Sequence, residues 1–204
     1  YDVYGNYVVK LYVTGYGGCL DSAVGQVNVY NPVTNTQINY TVPSSVCNQI
    51  AVDFNITTPP GTRFQFAFGD GKTDSSGQTT LSHLYDYPNK YVPVVLLVDS
   101  QDCRVNVGGT KVIDVKGAVP VFNIDKKQFC DSGTIFVTNY TISNDPVVSQ
   151  VWDFGNGQTS TDKTPPAHAY PQAGLYPVSL TATTQSGCES TYTDTVRVYR
   201  TPSP

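Results

Sequence analysis

Few residues in this chain could carry acid–base, nucleophilic or metal chemistry: two histidines, five cysteines and a scatter of aspartates. His83 and His168 each stand two residues before a tyrosine, Tyr85 and Tyr170. A general base or a nucleophile relay needs partner side chains close by, and each histidine stands apart from any such set. Both are read as structural. Glycoside hydrolysis needs two acids in one cleft with unlike environments, whereas the aspartates here sit among turn residues. Zinc needs clustered Cys/His spacing, which is absent. Asp70 with Asp74, or Asp153 with Asp162, could contribute oxygen ligands of the kind calcium takes. No dense D-x-D-x-D loop accompanies them. No catalytic residue or cofactor is therefore expected, with calcium left as the alternative.

The elements that would position such residues are strands. In Val151-Trp152-Asp153-Phe154-Gly155-Asn156-Gly157, Trp152 and Phe154 share a parity and point to one face of a strand. Asn156-Gly157 predicts a tight two-residue turn, because both residues accept positive φ cheaply. Downstream, Tyr176, Val178, Leu180 and Ala182 alternate with less apolar neighbours, the period of a half-buried strand. Composition agrees: the chain is rich in Tyr, Thr, Val, Asn, Gly and Pro and has no Met. A net charge of −4 leaves no basic face for phosphates, so nucleic acid is not an expected partner. No apolar run approaches the roughly 20 residues that span a bilayer, so the chain is not expected to be membrane-embedded. It begins with Tyr1 and is read as a mature or excised piece.

The pattern repeats. Tyr1, Gly5, Tyr7, Val9, Leu11, Cys19, Val27, Val29 and Tyr30 recur 169 residues later as Tyr170, Gly174, Tyr176, Val178, Leu180, Cys188, Val196, Val198 and Tyr199. At a spacing of 85, His83, Tyr85, Tyr91 and Cys103 match His168, Tyr170, Tyr176 and Cys188, and Phe66-Ala67-Phe68-Gly69-Asp70-Gly71 stands in the place of Trp152 to Gly157. Trp152 to Gly157, His168 with Tyr170, and Gly174 to Leu180 resemble the signature of the polycystic-kidney-disease (PKD) domain. That signature runs W-D-F-G-D-G, H-x-Y, G-x-Y-x-V-x-L, and Asn156 takes the place of its second Asp. The resemblance implies an all-β fold of tandem immunoglobulin-like β-sandwich domains. Three units are expected: residues 1–32 as the last part of one module, 33–117 as a full module, and 118–204 as another. Phe66, Phe68, Tyr85, Trp152, Phe154 and Tyr170 are the expected core. The middle copy departs from the pattern at Phe66, Ala67 and Asn89, and Pro93 interrupts its strand-like run, arguing for a bulge or an unpaired backbone position.

Sorted by repeat, the cysteines predict one bridge per module, Cys47–Cys103 and Cys130–Cys188, with the partner of Cys19 upstream of Tyr1. That pairing places the chain in an oxidising compartment. A reactive thiol at Cys19 is the competing reading.

For function, the resemblance implies a non-catalytic structural or adhesive segment of a large secreted protein at the cell surface. Repetitive bacterial adhesins, including gliding-motility adhesins, are of this kind. Neighbouring repeats of the same chain would be its main partners, with a surface polysaccharide or another cell-surface protein as ligand. The alternative is an accessory substrate-binding module of a secreted polysaccharide- or protein-degrading enzyme. Under either, Tyr12, Tyr87 and Tyr140 lie out of core parity and are the candidate ligand contacts.

Overall fold

A computed structural model describes residues 1, 3–29, 35–43, 46–98 and 102–202. The expected boundary at 32/33 lies outside these residues. Every regular element among them is a β-strand, and the chain is an all-β, immunoglobulin-like fold.

Alternation of side chains builds two separate cores. In the strand Ile50–Thr57, Val52, Phe54 and Ile56 are buried while their neighbours face solvent. This strand sits between Gln37–Tyr40 and Thr80–Tyr85 in a three-stranded antiparallel sheet. A four-stranded sheet ordered Arg104–Gly108, Val94–Val98, Arg63–Ala67, Thr73–Asp74 supplies Phe66, Val95 and Leu97 to the same core. The last part of the chain repeats the plan. Its five-stranded sheet runs Gln128–Cys130, Glu189–Tyr199, Gly174–Thr184, Val147–Asp153, Thr159–Ser160. From it Trp152, Val178, Leu180, Val196 and Val198 meet Phe122, Ile124, Ile135, Val137 and Tyr170 in a second core. Tyr85 and Tyr170 are fully buried, and each hydroxyl donates to a backbone carbonyl, Phe68 at 2.8 Å and Phe154 at 2.9 Å. Those bonds remove the cost of burying a phenol. Residues 1–29 contribute one antiparallel hairpin, Gly5–Thr14 with Leu20–Val29, whose apolar side chains Leu11, Val13 and Val24 are exposed.

Pro93 marks a change of partner. Before it, Asn89–Tyr91 pairs with Ile113–Val115; after it, Val94–Val98 pairs with the four-stranded sheet. The two-residue turn expected at Asn156-Gly157 gives way to a three-residue one, and the middle copy does the same. Phe154 N–H donates to Gln158 O at 3.0 Å and Phe68 N–H to Lys72 O at 3.1 Å, closing over Gly155-Asn156-Gly157 and Gly69-Asp70-Gly71. The positive φ angles fall on the glycines, 73° and 87° at Gly155 and Gly157, and not on Asn156. Gly155 also passes so close to Pro177 that a Cβ there would lie 2.6 Å from its carbonyl oxygen. Thus both the φ angle and the space demand glycine.

The disulfide differs from expectation. Cys47 is bonded to Cys188, with Cα atoms 5.2 Å apart, joining the two sandwiches. The Cys47–Cys103 and Cys130–Cys188 bridges are excluded by topology. Cys130 pairs with Tyr199 at the far end of the 11-residue strand Glu189–Tyr199, and Cys188 immediately precedes its start. At about 3.3 Å per residue, the two lie about 35 Å apart, far beyond the ~7 Å Cα separation that a bridge tolerates. Likewise Cys47 bridges Lys116 beside the Asn89–Val115 pairing, whereas Cys103 adjoins Arg104, whose partner Val98 lies at the opposite end of that strand path.

Candidate functional site

The titratable residues singled out in the sequence are bound into the scaffold. His83 stacks on Phe68 with ring centroids 3.7 Å apart, and His168 stacks on Phe154 at 3.8 Å. Their polar partners differ. His83 Nε2 lies 2.7 Å from Asp70 Oδ2, and the contact is half-buried. Burial works to raise the Asp70 carboxyl, but the His83 bond, the Lys72 N–H and both positive charges outweigh it and hold the carboxyl below its ordinary range. Its stabilising contribution is present above about pH 3.8 and is lost as pH falls through the lowered value.

His168 meets an amide instead. The Asn156 Nδ2 group lies 3.1 Å from His168 Nε2 and donates to it, which requires that nitrogen to be unprotonated. Burial lowers the imidazole pKa below 6.5. Between the two values the unfolded chain binds more protons than the folded one, so stability falls as pH drops through 6.5. Melts of the last module followed by Trp152 fluorescence from pH 8 to 5 should show a midpoint that declines on acidification. In Asn156→Asp, which restores the carboxylate partner present at Asp70, that decline should disappear or reverse. A wild-type midpoint flat across this range would remove His168 from the balance.

The aspartates considered for calcium cap turns. Asp74 Oδ1 accepts from the Ser76 N–H at 2.9 Å, Asp153 Oδ1 from the Gly155 N–H at 2.8 Å, and Asp162 Oδ2 from the Ser160 hydroxyl at 3.2 Å. Among the described residues no group of three or more His, Cys, Asp or Glu side chains is assembled.

What the fold does assemble is a joint between the two sandwiches. Beside the Cys47–Cys188 bond, the Asn48 amide donates to Glu189 O at 2.8 Å and accepts from the Ser190 hydroxyl at 3.0 Å. Asn48 reaches this position because its backbone is left-handed, φ 65°, a conformation asparagine tolerates. Asn144 ties down the link between the modules: its carbonyl oxygen accepts from the Gly117 N–H at 3.1 Å and its amide donates to Val115 O at 2.8 Å. The Ser143 hydroxyl donates to Gly117 O at 2.9 Å. Gly117 is confined as well, since a Cβ there would lie 2.5 Å from Asn48 Oδ1.

Tyr87 lines a cleft of about 190 Å³ at this joint, with Pro88, Asn89, Val119, Ile142 and Asn144. Tyr140 is exposed on the last module and Tyr12 on the first hairpin. No ring contact among the described residues joins the three tyrosines. Sequence reasoning missed the joint. Asn48 and Asn144 carry no signal of it in the sequence, because their partners come from the folded joint.

The chain is similar to pre-pro-metalloprotease PrtV of Vibrio cholerae, 31% identical over 137 residues, which is 65% of this chain and 14% of the relative. It is also 46% identical over 71 residues to a microbial collagenase of Vibrio alginolyticus, covering 35% of this chain and 9% of that one. The chain thus spans a small fraction of the curated relatives it matches. Among solved structures, the PKD1 domain of the Vibrio cholerae metalloprotease PrtV is 34% identical, with a TM-score of 0.36, covering 40% of this chain and 96% of that one. The sequence model of the PKD domain matches residues 117–198. With the sandwich around Trp152, Tyr170 and Leu180 in view, residues 117–198 belong to the PKD domain family, whose members are non-catalytic immunoglobulin-like modules.

Proposed function

We propose that this chain is an accessory, non-catalytic segment of a large extracellular enzyme that degrades protein or polysaccharide. Its sandwiches would divide near 32/33 and 117/118, space other domains and touch the substrate. The observation that carries this reading is the likeness over 137 residues to a metalloprotease of which the matched region is only 14%. The likeness to a microbial collagenase supports a fibrous protein as the substrate. Exposed Tyr87 and Tyr140 are the contacts, because a tyrosine face offers apolar area at low entropic cost.

Co-sedimentation with insoluble collagen, chitin and cellulose tests it. Retention on at least one of these is expected, weakened about tenfold in Tyr87→Ala/Tyr140→Ala, equivalent to about 1.4 kcal/mol. Absence of retention on all three would sink the accessory reading. A second reading, the stalk of a surface adhesin whose main partners are its own neighbouring repeats, draws support from the covalent joint between modules.

A further inference from the structure

Each sandwich carries one cysteine at either pole, and the Cys47–Cys188 bond joins the tail pole of one to the head pole of the next. The local backbone at these poles is repeated. At the tail pole of the first sandwich, Asn48 has φ 65°, Gln49 N–H donates to Cys47 O at 2.7 Å, and Asn48 N–H donates to Lys116 O at 2.8 Å. At the tail pole of the last, 83 residues further on, Asp131 has φ 62°, Ser132 N–H donates to Cys130 O at 2.7 Å, and Asp131 N–H donates to Tyr199 O at 2.7 Å. Cys47 and Lys116 form a parallel bridge, as do Cys130 and Tyr199. The exposed Cys130 thiol therefore stands on the same backbone as the bonded Cys47.

The head poles match too. Around Cys188, Thr184 N–H donates to Cys188 O at 2.9 Å, Gly187 N–H to Thr184 O at 2.9 Å, and Gly187 has φ 81°. Around Cys19, Gly15 N–H donates to Cys19 O at 2.8 Å, Gly18 N–H to Gly15 O at 3.1 Å, and Gly18 has φ 83°. Asp102, before Cys103, has φ 62°.

We propose that the Cys130 pole is a covalent docking site for the head-pole cysteine of another sandwich of this type, repeating the Cys47–Cys188 bond down a string of modules. Cys19 then presents a head pole to a preceding module's tail. One difference is chemical: Asp131 stands in the place of Asn48, and its side chain has no N–H to donate and accepts from the Thr201 N–H and hydroxyl. Each bond forms from two thiols, which surrender two electrons and two protons to an oxidant such as glutathione disulfide, yielding two molecules of glutathione. This inference is independent of the substrate reading above.

The test lengthens the chain with a second copy of residues 118–204 after Pro204 and oxidises it in glutathione buffer. Peptide mapping without reduction should show Cys130 joined to the cysteine that the copy carries at the position of Cys188. In Cys130→Ser that link should vanish while Cys47–Cys188 persists. A folded chain whose Cys130 is alkylated without reduction, or joined to Cys188 of its own module, would overturn the proposal. If the lengthened chain fails to fold, the 204-residue chain alone is oxidised at high concentration. It should then give a head-to-tail ladder through Cys130 and Cys19 on a non-reducing gel. A ladder unaffected by Cys130→Ser, or no ladder, overturns it equally.

Discussion

Replacing Trp152 with alanine should destabilise the last sandwich by about 3–5 kcal/mol. The side chain is wholly buried on the strand Val147–Asp153, paired through its backbone with Leu180 on one side and Ser160 on the other. Its ring meets Phe122 edge-on at 5.1 Å, and its Nε1–H donates to Asp162 O at 3.1 Å. Two flanking strands hold the backbone on both sides, so the pocket cannot collapse around a methyl group. The alanine variant loses both the transfer of a large ring from water and the packing around the void. For a module of this size the melting midpoint should fall by at least about 12 °C. Because Trp152 is the sole tryptophan, near-ultraviolet circular dichroism of the tyrosines or calorimetry must follow the transition. An unshifted midpoint would mean that the core does not depend on this ring.

The second large effect belongs to the bond between modules. Cys47→Ser is the cleaner variant, since Cys47 is exposed whereas Cys188 is buried and a serine there would bury an unsatisfied hydroxyl. Closing a loop of 141 residues removes up to about 5 kcal/mol of unfolded-chain entropy on the loop-closure account. Without it the two cores, which share no buried residue, are coupled through the Gly117 link and the Asn48 and Asn144 bonds. Calorimetry of the oxidised parent should therefore show one merged transition, and Cys47→Ser two, with Trp152 fluorescence reporting only the second sandwich. Identical traces for parent and variant would show that the bond contributes nothing to the coupling.

The core was readable where strands alternate. Period-two placement of Phe66 with Phe68 and of Trp152 with Phe154 is a local property of the chain, and all four are buried. Short elements were not readable. Gln128–Cys130 is a three-residue edge strand in parallel register, and the neighbouring Gly133–Ile135 and Val137–Asn139 are short strands with different partners. Such pieces are set by tertiary pairing, not by propensity. The cysteine positions were also readable, but not their partners. Repeat spacing locates a cysteine within a module without saying which pole it occupies, and the bond depends on how a few residues around Gly117 place one sandwich on the next. The joint was invisible for the same reason: Asn48 and Asn144 look like ordinary loop asparagines until the neighbouring module supplies Glu189 and Val115 as partners.

The covalent shortcut also decides where tension would travel. A pull on the two ends of the chain enters through residues before Cys47, crosses the sulfur–sulfur bond, and leaves through the residues after Cys188. The strands Gln37–Tyr40 and Glu189–Tyr199 lie on that route, and the other strands of both sandwiches lie off it. At about 3.4 Å per extended residue, the bond locks away roughly 480 Å of contour across its 141-residue span. While it is intact, the residues between the two cysteines do not lengthen under load. Once it is reduced, the same two folds become the extensible part of the chain, and a change of redox potential turns a stiff tether into a compliant one.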